Sequence, residues 1–108
     1  MASDNEHCGD RGRECTITVS NPVLRGMYPD PSWIWDTTRE EIVLVNSSFE
    51  LVPGLPIHTT RDLVTWTRTA NAVDEAMSHR LLIDGVEDSG GLYAPTIRRI
   101  GGRYVIVC

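Results

Sequence analysis

Residues 32–49 read SWIWDTTREEIVLVNSSF. Two apolar runs, Ser32 to Trp35 and Glu41 to Phe49, flank the polar segment Asp36-Thr37-Thr38. The second run holds Ile42, Val43 and Val45, branched at Cβ, which suit a pleated surface better than a helix. This strand–turn–strand pattern sets the fold class, because it recurs outward from here. Leu55 to Thr60 (LPIHTT) is entered through Pro53-Gly54. Leu63 to Thr69 reads as a turn leading into a short strand. Pro95 to Ile100 and Arg103 to Cys108 flank Gly101-Gly102, a pair that can take the positive φ angles of a two-residue hairpin. Only Ala72 to Leu82 offers helical content, around Asp74-Glu75-Ala76-Met77. Regular short strands separated by turns predict an all-β sandwich, barrel or propeller. Ser-Trp-Ile-Trp-Asp puts Trp33 and Trp35 on one strand face, where they are expected to pack within a sheet assembly.

At 108 residues the chain is one domain at most, and 41% hydrophobic with 23% charged residues is a globular composition. Residues 1–20 are polar and read as a flexible tail, with the domain over 21–108. A net charge of −5 argues against nucleic acid or an anionic membrane as partner. No apolar run approaches the roughly 20 residues of a spanning helix. The polar start MASDNEHCGDRGREC lacks an apolar core, so no signal peptide is read and the expected location is the cytoplasm. Cys8, Cys15 and Cys108 show no metal-ligand spacing and read as free thiols. No cofactor and no metal are expected. Asp84, Glu87 and Asp88 read as a solvated turn rather than a calcium site. His58 and His79 are isolated and read as surface or hydrogen-bond-satisfied histidines. Asn46-Ser47-Ser48 is a glycosylation sequon, discounted because it falls inside an expected strand.

The stretch GMYPDPSW, residues 26–33, places Asp30 between Pro29 and Pro31. Each proline fixes its own φ, and each pushes the residue before it towards extended backbone. A carboxylate on so stiff a loop is either a turn residue or a pre-aimed chemical group.

Several blocks then occur in order: Asn21-Pro22-Val23-Leu24, Gly26-Met27-Tyr28-Pro29-Asp30-Pro31-Ser32, and Val45-Asn46-Ser47-Ser48-Phe49-Glu50 through Pro53-Gly54-Leu55-Pro56-Ile57-His58. Arg61-Asp62-Leu63-Val64-Thr65-Trp66 and Asp84-Gly85-Val86 follow. Asp88-Ser89-Gly90-Gly91-Leu92-Tyr93-Ala94-Pro95-Thr96-Ile97-Arg98 closes the set. In this, residues 21–108 resemble the N-terminal part of the family 43 glycoside hydrolases, in their β-xylosidase-like branch. The resemblance implies a five-bladed β-propeller, of which this chain supplies the first blade and the start of the second. It implies hydrolysis of β-xylosides or α-L-arabinofuranosides with inversion, and xylo- or arabino-oligosaccharides as partners. The family's catalytic base falls on Asp30. Inversion needs one carboxylate to activate water and a second, protonated carboxyl roughly 6.5–9.5 Å away. A stiff loop suits that base, because its geometry is set during folding.

The resemblance further places Phe49 and Tyr93 at the sugar. Phe49 alone reads equally as core. Tyr93 stands where the branch carries tryptophan, which leaves a smaller aromatic platform with an added hydroxyl. Ser89-Gly90-Gly91 is expected to turn the backbone sharply into Tyr93. The family's general acid and its pKa-tuning aspartate lie on later blades. Glu50 follows Phe49 but is not the acid's position, so the acid is unassigned and whether the chain itself acts as an enzyme is open. A chain with one catalytic carboxyl should be nearly inert, and the apolar run Tyr104 to Cys108 at the very end reads as an open strand edge. Missing downstream blades or a partner would cover it. The alternative is a short, non-catalytic protein that binds sugar or a partner.

Overall fold

The computed structural model describes residues 15–83 and 85–108. Residues 15–20 form no helix or strand and are exposed, and the rest of the expected tail, like Asp84, lies outside the described residues. Among the described residues, six strands and one short helix follow in the order β1 (Ser32–Asp36), β2 (Glu41–Val45), β3 (Gly54–Thr60), β4 (Thr67–Val73), α1 (Glu75–Arg80), β5 (Thr96–Ile100) and β6 (Arg103–Val107). The first four make an antiparallel meander in the order β1-β2-β3-β4, and β5-β6 form a separate hairpin. Gly101 and Gly102 turn that hairpin at φ +56° and +77°, the left-handed pair the sequence called for.

The register decides which residues share a face. Ser32 pairs Val45, which pairs Ile57, and Ile34 pairs Val43, which pairs Thr59. This face meets the β5–β6 hairpin. Val43, Val45, Leu55, Val73, Ile83 and Ile97 form the core, with Ile34, Ile57 and Ile106 packed against it. On the other face lies the row Trp33, Leu44, His58 and Arg68. Trp33 and Trp35 share a face as expected but are 60% and 50% exposed, so the expected burial of these indoles is not found. The hairpin covers only the opposite side of β1.

Asp36 joins the two sheets. Its carboxylate is fully buried and accepts from the Thr38 and Arg39 N–H groups, from the Arg99 guanidinium at 2.8 Å and from the Tyr104 hydroxyl. The Tyr104 hydrogen bond, with the two N–H groups and Arg99, holds the Asp36 carboxyl below its ordinary value against the opposing effect of burial. The same bond raises the Tyr104 phenol above its own.

One segment differs from expectation for a local reason. β2 stops at Val45 instead of continuing to Phe49, because the polar triplet 46–48 turns its hydrogen bonds to other loops and Phe49 takes φ +52°. The turn expected from Leu63 leads into β4, which starts at Thr67. Asp62 Oδ1 accepts the Val64 and Thr65 N–H groups at 2.9 and 2.7 Å, and Thr60 Oγ1 accepts that of Leu63. These side-chain bonds satisfy the backbone as a turn and compete with the ladder. α1 is capped by Asp74, whose Oδ1 accepts the Met77 N–H at 2.7 Å. Among the described residues no helix is long and apolar enough to cross a membrane.

Candidate active site

Three loops converge at one end of β1 and β2. Asp30 lies on the first, just before β1, exposed and at φ +51°. The sequence predicted extended backbone there because Pro31 follows. The left-handed value is one that aspartate tolerates better than most side chains, and neighbouring bonds hold it. Asn46 Nδ2 donates to the carbonyls of Tyr28 (2.7 Å) and Pro29 (3.1 Å), and the Ser47 N–H donates to Pro29 O at 3.1 Å.

Ser47 is the junction. Its hydroxyl donates to Asp30 Oδ2 at 2.7 Å and accepts the Ala94 N–H at 2.7 Å. One hydroxyl therefore fixes the carboxylate and the segment after Tyr93 together. Ser47 is fully buried and Asn46 is 1% exposed, so the sequon lies on a side chain that glycosylation could not reach. Asp30 Oδ1 has no hydrogen-bond donor among the described residues, which leaves one oxygen engaged by protein and one available to water.

Phe49 and Tyr93 come together from the second and third loops. Their ring centroids are 5.5 Å apart with planes at 51°. Phe49 is half-buried and Tyr93 is 51% exposed, so the tyrosine offers a face to solvent while the phenylalanine backs it. The backbone enforces the meeting. Phe49 N–H donates to Leu92 O at 2.9 Å, Leu92 N–H returns to Phe49 O at 3.0 Å, and Ser48 N–H also reaches Leu92 O. Gly91, at φ +96°, makes this approach feasible, since a Cβ there would lie 2.1 Å from Phe49 O. Close approach, as well as turning, therefore explains this glycine. Glu50 Oε2 accepts the Ser89 N–H at 3.1 Å and so helps hold the third loop.

The arrangement is a carboxylate with one anchored oxygen beside an aromatic wall. The first can activate water and the second can lie against the C–H face of a sugar ring. Sequence reasoning singled out Asp30, Phe49 and Tyr93. It missed Asn46 and Ser47, whose signal was a polar triplet directly after a β-branched run, buried where a turn would be exposed. His58 differs from expectation. It is 4% exposed, and its Nδ1 is buried with no hydrogen-bond partner. Cys15 is disulfide-bonded, so the free-thiol expectation fails for that residue, while Cys108 is free. Among the described residues no group of three or more metal-ligating side chains is present.

The family model described as glycosyl hydrolases family 43 matches residues 19–108. The chain belongs to this family. It is 32% identical to a xylan 1,3-beta-xylosidase of a Vibrio species over 89 residues, 82% of this chain and 16% of that protein. It is 37% identical to a non-reducing end alpha-L-arabinofuranosidase of Bacteroides ovatus, over 83% of this chain and 16% of that protein. Among solved structures, a xylan beta-1,4-xylosidase from Bacillus halodurans superposes with a TM-score of 0.71 at 29% identity, covering 82% of this chain and 16% of that one. The GH43 protein BlXynB of Bacillus licheniformis gives 0.69 at 34% identity, covering 82% of this chain and 16% of that one. The family 43 chain thus spans about one sixth of the length of these relatives. Its four-stranded meander and hairpin are the N-terminal portion of a propeller: a first blade and the start of a second.

Proposed function

We propose that this chain is the base-bearing portion of an inverting glycoside hydrolase acting on β-xylosides or α-L-arabinofuranosides, with xylo- or arabino-oligosaccharides as ligands. Asp30 activates the water, and Tyr93, backed by Phe49, forms one wall of the sugar site. The observation that carries this reading is the bond chain Asp30–Ser47–Ala94, which ties the carboxylate to the backbone directly after Tyr93. A base that must act from the face opposite the leaving group gains from such fixation. The names of the relatives include both xylosidase and arabinofuranosidase, and the reading keeps both substrates.

The general acid comes from further blades. Glu50 is not taken as that acid, because it does not fall on the acid's position in the family; its carboxylate instead braces the Ser89 loop. The chain by itself is inert, since an acid or a base each supplies about 10²–10⁴-fold. Further blades also cover the exposed Trp33 and Trp35 on β1 and the exposed Tyr104, Val105 and Val107 on β6.

The test is the first product formed from an aryl β-xyloside and an aryl α-L-arabinofuranoside, followed by proton NMR. The enzyme carries this segment with its remaining blades, and the isolated chain runs in parallel. The expected result is an inverted anomer from the former and no turnover from the latter. Retention of configuration, or hydrolysis of neither glycoside, would overturn the reading.

A further inference from the structure

His58 is a buried titratable side chain that the proposed chemistry leaves unused. It lies on β3, on the face away from the core, between Leu44 of β2 and Arg68 of β4 in the register. The Tyr28 ring packs against it in a T-shaped contact, with centroids 4.8 Å apart and planes at 84°. Tyr28 begins the Tyr28-Pro29-Asp30 turn, and Asn46 Nδ2 grips that turn from the other side through the Tyr28 and Pro29 carbonyls. The turn is therefore held at its backbone by Asn46 and at its side chain by His58.

Buried polar atoms are nearly always hydrogen-bonded, so an orphaned ring nitrogen calls for an explanation. A histidine retained there for packing alone could be replaced by a hydrocarbon without that cost. We propose that His58 is a positioning residue for Asp30: a neutral, buried imidazole that props the Tyr28 ring and releases it when it takes a proton. This rests on Asp30 being the base. The groups that face the imidazole are Tyr28 from the loop, Arg68 from β4 and the apolar Leu44 from β2, and Arg68 is the charge that acts on it among the described residues. Burial first, and then the Arg68 charge, hold the imidazole below its ordinary value of 6.5. A charged ring would carry a buried Nδ1–H with no acceptor, and the adjacent guanidinium opposes it. Protonation is thus relieved by displacing Tyr28, and Asp30 moves with it.

The experiment is an NMR titration of the isotope-labelled 108-residue chain between about pH 5 and 8, where an imidazole titrates. His58→Phe and His58→Ala are titrated alongside. The expected result is that the Tyr28 ring and Asp30 backbone signals shift with the midpoint of the His58 imidazole, below 6.5, while strand amides stay in place. His58→Phe should keep the neutral-pH positions of those signals and lose their pH dependence. His58→Ala should displace them at every pH. The proposal is overturned if Tyr28 and Asp30 do not move as His58 titrates. It is also overturned if they move as much in His58→Phe, which retains His79, or if strand amides are lost in parallel. The readout is loop geometry, so a failure of Asp30 as catalytic base would leave it unchanged and the two ideas fail separately.

Discussion

Ser47→Ala should destabilise the chain more than its single oxygen atom implies. The hydroxyl makes two bonds of 2.7 Å, one donated to Asp30 Oδ2 and one accepted from the Ala94 N–H. The side chain is fully buried, so water cannot replace it without rearrangement. Losing the acceptor for a partly buried N–H costs about 1 kcal/mol. A hydrogen bond to a carboxylate is stronger in principle, but Asp30 is exposed and its partner bond is discounted to about 1 kcal/mol. The sum, about 2 kcal/mol, is roughly a 30-fold change in the folding equilibrium. With a urea dependence of about 2 kcal/mol/M, the unfolding midpoint should fall by about 1 M. The Asp30→Ala and double variants complete a cycle in which the pair should couple by about 1 kcal/mol. A midpoint shift below about 0.2 M, or additive single effects, would refute the claim that one hydroxyl ties the carboxylate loop to the Tyr93 loop.

Three further outcomes are expected. Gly91→Ala forces a Cβ to within 2.1 Å of Phe49 O at φ +96°; it should break the Phe49–Leu92 bridge, seen as faster amide exchange at both residues, with a loss of about 1–3 kcal/mol. Asp36 has a folded pKa below its ordinary 3.8, so its contribution is present above that value and lost as pH falls through the folded one. In acid unfolding, Asp36→Asn should therefore flatten part of the pH dependence below about pH 4, and an unchanged profile would contradict the sheet-joining role. His58 gives a dependence of the same sign in a higher pH window. Its folded pKa is depressed, so the unfolded chain binds the extra proton, and stability should decline as pH falls below 6.5 and level off below the folded value. His58→Phe should remove that decline in urea titrations run across the window.

Much of the fold was legible because its causes are local. Gly101-Gly102 could hardly be other than a left-handed hairpin turn, and the β-branched run at Ile42–Val45 could only be a strand. At the candidate site, two prolines and an ordered set of blocks singled out Asp30 in the sequence, and the structure ties its carboxylate to Ser47. The rest depends on contacts between loops distant in sequence. Ser47 reaches Ala94 across 47 positions, and nothing local distinguishes a serine that does so from one that faces water. The strand expected through Phe49 stopped early for the same reason. Burial of His58 is likewise set by Tyr28, which lies thirty residues earlier. The exposure of Trp33 and Trp35 follows from which side of β1 the hairpin covers, a choice that alternation along the strand does not make.

The most direct measurement of the central claim is the steady-state kinetics of Asp30→Asn in the enzyme that carries this segment with its remaining blades. Asparagine keeps the size and an acceptor for Ser47 but cannot take a proton from water. Asp30 as general base predicts that kcat falls by about 10²–10⁴-fold while KM changes little. A kcat within a few-fold of the unsubstituted enzyme would contradict it, and the carboxylate between the two prolines would then be a turn residue.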